Sequence, residues 1–142
     1  MIQPEFHPYA EISKDIREVL LTPEQIQARV IELGHQISLD YAERDLLLVG
    51  VLKGVLMFMA DLLRQITIPV AVDFIAVSSY SAEARDKGFV RLVKDLDIPI
   101  TGRDVIFIED VIDTGLTLNY LLRNLRDRSP ASLEVCVMFD KP

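Results

Sequence analysis

Short, wholly apolar runs alternate along this chain with longer segments whose apolar residues recur at helical spacing. Leu46–Leu52 carries nothing but leucine, valine and one glycine. It is too short for a buried helix and reads as a strand covered on both faces. Residues 70–77, rich in β-branched side chains, read as a second strand, and residues 90–93, 104–110 and 133–139 as three more. Helical segments lie between them. Thr22-Pro23-Glu24-Gln25 is a start signal, with Thr22 as N-cap, Pro23 in the first turn and Gln25 reaching back. Ile26, Val30, Leu33 and Ile37 then carry one helical face to about Tyr41. Residues 55–66 read as a helix opened by Gly54 and stopped before Pro69, and residues 116–125 as one with Leu118, Leu121, Leu122 and Leu125 on one side. Strands alternating with helices predict an α/β fold, a mostly parallel, Rossmann-like sheet flanked by helices on both faces. The core spans residues 21–142, and residues 1–20 form an N-terminal arm.

Composition narrows the function classes. With 50% hydrophobic and 26% charged residues in 142, the chain can bury a core and is not a disordered tail. A net charge of -7 argues against a broad nucleic-acid-binding face, which needs clustered lysine and arginine. Small phosphorylated ligands remain open, since backbone N–H groups and a metal ion can bind them. The single cysteine, Cys136, excludes an internal disulfide and reads as a buried, inert thiol. His7 and His35 lack a second ligand at helical spacing. No run reaches the ~20 apolar residues of a membrane span. The start, with Pro4, Glu5 and Pro8, lacks the layout of a signal peptide. The expectation is a soluble, cytoplasmic protein without membrane or nucleic-acid partners.

In a parallel α/β sheet, ligands bind beyond the carboxyl ends of the strands. After the run Val105-Ile106-Phe107-Ile108 come Glu109-Asp110-Val111-Ile112-Asp113-Thr114-Gly115-Leu116-Thr117, which lead into the next helix. Two adjacent carboxylates at a buried sheet's rim repel each other, and a Mg²⁺ ion or sugar hydroxyls would relieve that. Asp113 to Thr117 is small and polar, with a glycine for a tight turn, and cradles a phosphate monoester at a helix N-terminus. The plainer reading is a strand-to-helix loop in which Asp113 or Thr114 caps the helix. Residues 81–88 have no apolar face and read as a mobile surface loop, a candidate lid.

The nine-residue run resembles the signature by which type I phosphoribosyltransferases bind phosphoribosyl pyrophosphate (PRPP). Leu52-Lys53-Gly54 resembles that family's pyrophosphate loop, whose Leu–Lys peptide is usually cis. Ser78-Ser79-Tyr80 with the polar loop after it resembles the closing lid. Arg91-Leu92-Val93-Lys94-Asp95-Leu96 and Asp140-Lys141-Pro142 match the bacterial hypoxanthine/guanine phosphoribosyltransferases. The resemblance implies purine salvage: transfer of the 5-phosphoribosyl group from PRPP to a 6-oxopurine, giving IMP or GMP and pyrophosphate. It implies Mg²⁺ as cofactor, PRPP and a purine base as partners, and a homo-oligomer, dimer or tetramer. It also implies a hood strand in the N-terminal arm.

Position by position, the resemblance implies that Glu109 and Asp110 hold the ribose hydroxyls directly or through the metal. Asp113 accepts the purine proton, and Thr114, Gly115, Leu116 and Thr117 cradle the 5′-phosphate. Lys53 and Gly54 receive pyrophosphate, Ser79 and Tyr80 belong to the lid, Ile112 packs near the base and Lys141 donates to its exocyclic oxygen. Ser81 stands where the family often has glycine. The family's chains continue beyond the Asp-Lys-Pro, so the core reads as incomplete at its C-terminus, without the base-stacking aromatic and a further metal-side Asp. The alternative is a PRPP-binding regulatory domain without turnover. A phosphoacceptor receiver domain is excluded, since its acidic pair would follow the first strand.

Overall fold

Thr22 opens the first long helix as the start signal requires. Its Oγ1 accepts the Gln25 N–H at 3.2 Å, and Gln25 Oε1 accepts the Thr22 N–H at 2.8 Å. That closes a capping box around α1 (Pro23–Asp40). The computed structural model describes residues 13–79, 83, 87 and 90–141. The expected hood strand, Tyr80 and most of the polar loop therefore lie outside the described residues, as does the side chain of Ser79.

A five-stranded sheet runs in the order β3-β2-β1-β4-β5, from β1 (Leu46–Leu52), β2 (Ala71–Ser79), β3 (Val90–Lys94), β4 (Asp104–Ile112) and β5 (Ser132–Asp140). All neighbours are parallel except the β2–β3 pair. The remaining helices are α2 (Leu56–Leu63) and α3 (Leu116–Arg126). The expected helix over residues 55–66 is shorter by a turn. Its end tightens, with the Gln65 and Ile66 N–H groups bonded three residues back to Leu62 and Leu63.

The apolar runs are apolar throughout because both faces are covered. Leu46, Leu48, Ile106 and Ile108 pack with α1 and α2 through Val30, Ile37, Phe58 and Leu62. Leu47, Val49, Val105 and Phe107 pack on the opposite side with Leu121, Leu122 and Leu125 of α3. Cys136 is buried, and burial pushes its thiol up to about 11. Among the described residues, no helix is long and apolar enough to cross a membrane.

One carboxylate is buried within this frame. Asp73 of β2 is 5% exposed. Its Oδ2 accepts the Asp97 and Ile98 N–H groups and its Oδ1 the Phe74 N–H, all at 2.8 Å, and Lys94 Nζ stands 3.6 Å away. Burial alone would raise its pKa. The three N–H donors and the Lys94 charge outweigh that and hold it below its ordinary 3.8. A lowered folded-state pKa stabilises above 3.8, and the contribution is lost as pH falls through the folded value. Asp73→Ala should therefore cost about 2–5 kcal/mol at pH 7 by stranding buried donors. The melting gap to the unsubstituted protein should narrow on acidification to pH ~3. Equal melting at pH 7, or a gap that widens in acid, would contradict this role.

Candidate active site

The C-terminal edge of the sheet is stepped. The β1–β4 pairing stops at Gly50 and Ile108, whereas β5 follows β4 out to the Ile112–Asp140 pair. The sequence reading ended this strand at residue 110, with its buried run at Val105–Ile108, and the structure carries it two residues further, to Ile112. β5's backbone keeps β4 extended over these last residues.

Alternation along extended chain starts the two side chains on opposite rows, yet their carboxyl groups still meet in a hydrogen bond. Glu109 continues the row of Val105 and Phe107 on the α3 side, and Asp110 continues the row of Ile106 and Ile108 on the α1/α2 side. Glu109 lines a recess of about 190 Å³ with Val111, Ile112, Asp113 and the Thr114–Thr117 turn. Asp110 lines a separate recess of about 240 Å³ with Gly54, Phe58 and Phe139. Both side chains are half-buried, outside the core. Burial first, and Asp110 second, push the Glu109 carboxyl up to about 7. The expected repulsion is therefore present.

The turn into α3 is built around Gly115, at φ 78°. A Cβ there would meet nothing within 4 Å, so the glycine serves the left-handed backbone rather than space. Gly115, the residue before α3, makes no side-chain cap, but Thr114 Oγ1 accepts the Leu116 N–H at 3.4 Å, as the plainer reading expects of Thr114. The start of α3 lines the recess, and a helix N-terminus suits an anion.

Asp113 is exposed at the mouth of this turn, and Lys141 Nζ stands 3.6 Å from its Oδ2. The Lys141 N–H donates to the Ile112 carbonyl at 2.9 Å, which sets that lysine beside the recess. The structure thus gathers Glu109, Ile112, Asp113, Thr114, Gly115, Leu116, Thr117 and Lys141 at one edge. Val111 was missed in the sequence. It is 45% exposed on the Glu109 row, an apolar surface beside Asp113, and the period of two along the strand was the signal for it. The Leu52–Lys53 peptide is cis, as the resemblance implies. The exposed Lys53-Gly54 turn stands on the Asp110 side of β4. Ser79 ends β2.

Such a mostly parallel sheet, with a glycine-opened helix start beside acidic side chains at its carboxyl edge, is that of a doubly wound α/β protein. Residues 18–142 match the phosphoribosyl transferase domain, and the chain belongs to that family. It is 54% identical over 134 residues to the hypoxanthine-guanine phosphoribosyltransferase of Mycobacterium tuberculosis, covering 90% of this chain and 66% of that protein. It is 48% identical over 131 residues to the enzyme of that name from Streptococcus agalactiae, covering 92% and 73%. A hypoxanthine phosphoribosyltransferase structure from Staphylococcus aureus superposes with TM-score 0.87 at 43% identity, covering 92% of this chain and 71% of that one. The chain thus spans about two thirds of the length of the first of these relatives.

Glu109 has a consequence for stability. Its folded pKa of about 7 exceeds the ordinary 4.5, so between these values the folded protein keeps a proton that the unfolded chain releases. Stability from this group falls as pH rises through that window and levels off above it. Glu109→Gln should therefore raise the melting temperature at pH ~8 and leave it nearly unchanged at pH ~4. A pH-independent difference would contradict the assignment.

Proposed function

We propose that this chain carries the PRPP-dependent transfer of a 5-phosphoribosyl group to a 6-oxopurine, hypoxanthine or guanine, with release of pyrophosphate in purine salvage. The observation that carries this reading is the Asp113–Lys141 pair at the mouth of the phosphate turn. A carboxylate acceptor beside an ammonium donor complements a purine edge that offers a ring N–H next to an exocyclic oxygen. The relatives' names support the same substrate class.

In this reading the α3 N–H groups and the hydroxyls of Thr114 and Thr117 hold the 5′-phosphate, with Gly115 and Leu116 giving backbone only. Glu109 faces the ribose from the same recess, with Asp110 beside it. Lys53 and Gly54 receive pyrophosphate, and Ser79 and Tyr80 belong to the lid. Val111 and Ile112 give the base an apolar floor, and Lys141 fixes its exocyclic oxygen. Asp113 takes the ring proton as the purine nitrogen bonds to C1 and the C1–pyrophosphate bond breaks. Positioning and electrostatic stabilisation supply most of the rate. The donor set fits Mg²⁺: hard oxygens from a half-buried Glu109 whose raised pKa a cation would reverse, with a second carboxylate next to it. Bound there, Mg²⁺ would neutralise charge on PRPP and the departing pyrophosphate. A cytoplasmic homo-oligomer, dimer or tetramer, completes the proposal.

The test is calorimetric titration with PRPP and Mg²⁺, followed by a pyrophosphate-release assay with each purine and with pyrimidines as controls. Binding with release on hypoxanthine or guanine is expected. Binding without release for any purine would favour a regulatory domain, and no binding would contradict the reading. Replacing both acids, Glu109→Gln with Asp110→Asn, should weaken Mg²⁺-dependent PRPP binding while the protein stays folded. Unchanged affinity in calorimetry would remove them from the site.

Asp113→Asn gives the sharpest separation. Asn cannot take the proton, so turnover should fall by ~10²–10⁴-fold. PRPP affinity should hold, and melting should shift little, since an exposed ion pair is worth ~0–1 kcal/mol. Ordinary turnover in this variant would refute Asp113 as the base.

A further inference from the structure

Asp110 has a second set of neighbours that the ribose and metal assignment leaves unused. A Cβ built on Gly54 would stand 3.3 Å from Asp110 Oδ2 and 3.6 Å from Oδ1, so the carboxylate closely abuts the Gly54 backbone and would crowd any side chain there. Asp110 Oδ1 also accepts the Val111 N–H at 2.9 Å, which fixes the carboxylate on its strand. The recess it lines also carries Val30, Phe58, Met138 and Phe139, with Asp61 as a second carboxylate.

The turn it touches is loosely tied. The Val55 N–H reaches the Val51 carbonyl at 3.4 Å and the Leu56 N–H reaches the Lys53 carbonyl at 3.1 Å, the first a long bond. The turn's own hydrogen bonds therefore leave its height above the sheet underdetermined, and the Asp110 side chain supplies a stop. We propose that Asp110 is a positioning residue that sets the Lys53-Gly54 turn against β4. β4 carries Asp110 and, just beyond its last residue, the phosphate turn. This contact would therefore fix the spacing between the two phosphate-binding ends of the site. The proposal rests on the reading of Lys53-Gly54 as the pyrophosphate turn.

The experiment measures hydrogen exchange at Val55 and Leu56 in the free protein, then PRPP affinity with Mg²⁺, for Asp110→Asn, Asp110→Ala, Gly54→Ala and the Asp110→Ala/Gly54→Ala double variant. Asp110→Ala should speed exchange at both amides about tenfold by easing local opening, whereas the isosteric Asp110→Asn should leave it near the unsubstituted rate. Gly54→Ala should weaken PRPP binding about tenfold in the unsubstituted protein and much less when added to Asp110→Ala, because the crowding carboxylate is then already gone. Unchanged exchange in Asp110→Ala, or additive effects on affinity, would overturn the proposal. Should Asp110→Ala not fold, Asp110→Ser takes its place in both arms. If the unsubstituted protein binds no PRPP, the pyrophosphate reading fails, and the exchange arm still decides whether Asp110 positions the turn.

Discussion

The β4–β5 pairing beyond the end of β1 is the contact on which the site depends. β1 gives out beside Ile108, and from there β4 is held extended by β5 alone as far as Ile112. Those last pairs put Glu109 and Asp110 on opposite faces and present Val111 to the open edge. They also start the Gly115 turn at a fixed height above the sheet. Lys141, bonded through its N–H to the Ile112 carbonyl, is carried to Asp113 by the same ladder. A strand that ended at Ile108 would leave the acidic pair and the lysine with no common reference.

The rest of the fold keeps that edge steady from below. Aliphatic rows on both faces of β1 and β4 tie the strands to α1 and α2 on one side and to α3 on the other. Asp73 gathers the chain after β3 through the Asp97 and Ile98 N–H groups, where an unpaired carboxylate would be costly. Below the edge Asp73 is fully tied by N–H donors, whereas at the carboxyl edge Glu109 and Asp113 line an open recess.

Much of this was legible in the residues. The Thr22–Gln25 capping box, the aliphatic strands and the leucine face of residues 116–125 are local patterns with short-range causes, and each stands where the pattern puts it. The turn at Asp113–Thr117 was legible for the same reason, since a glycine between hydroxyls before a leucine-faced helix has few other uses. What escaped was non-local. The extension of β4 to Ile112 comes from its partner β5, which no window around Glu109 contains. The exposure of Val111 follows from that extension. The tightened end of α2 likewise reflects packing rather than sequence period.

The central claim is that the Gly115 turn after β4 and the Asp113–Lys141 pair at the ends of β4 and β5 form one site. Amide chemical shifts followed by NMR during titration with a purine nucleoside 5′-monophosphate test this most directly. The account predicts that Thr114, Gly115, Leu116, Thr117 and Lys141 shift together and saturate with a single dissociation constant. Shifts at the turn that leave Lys141 unmoved, or that follow a different constant, would contradict it.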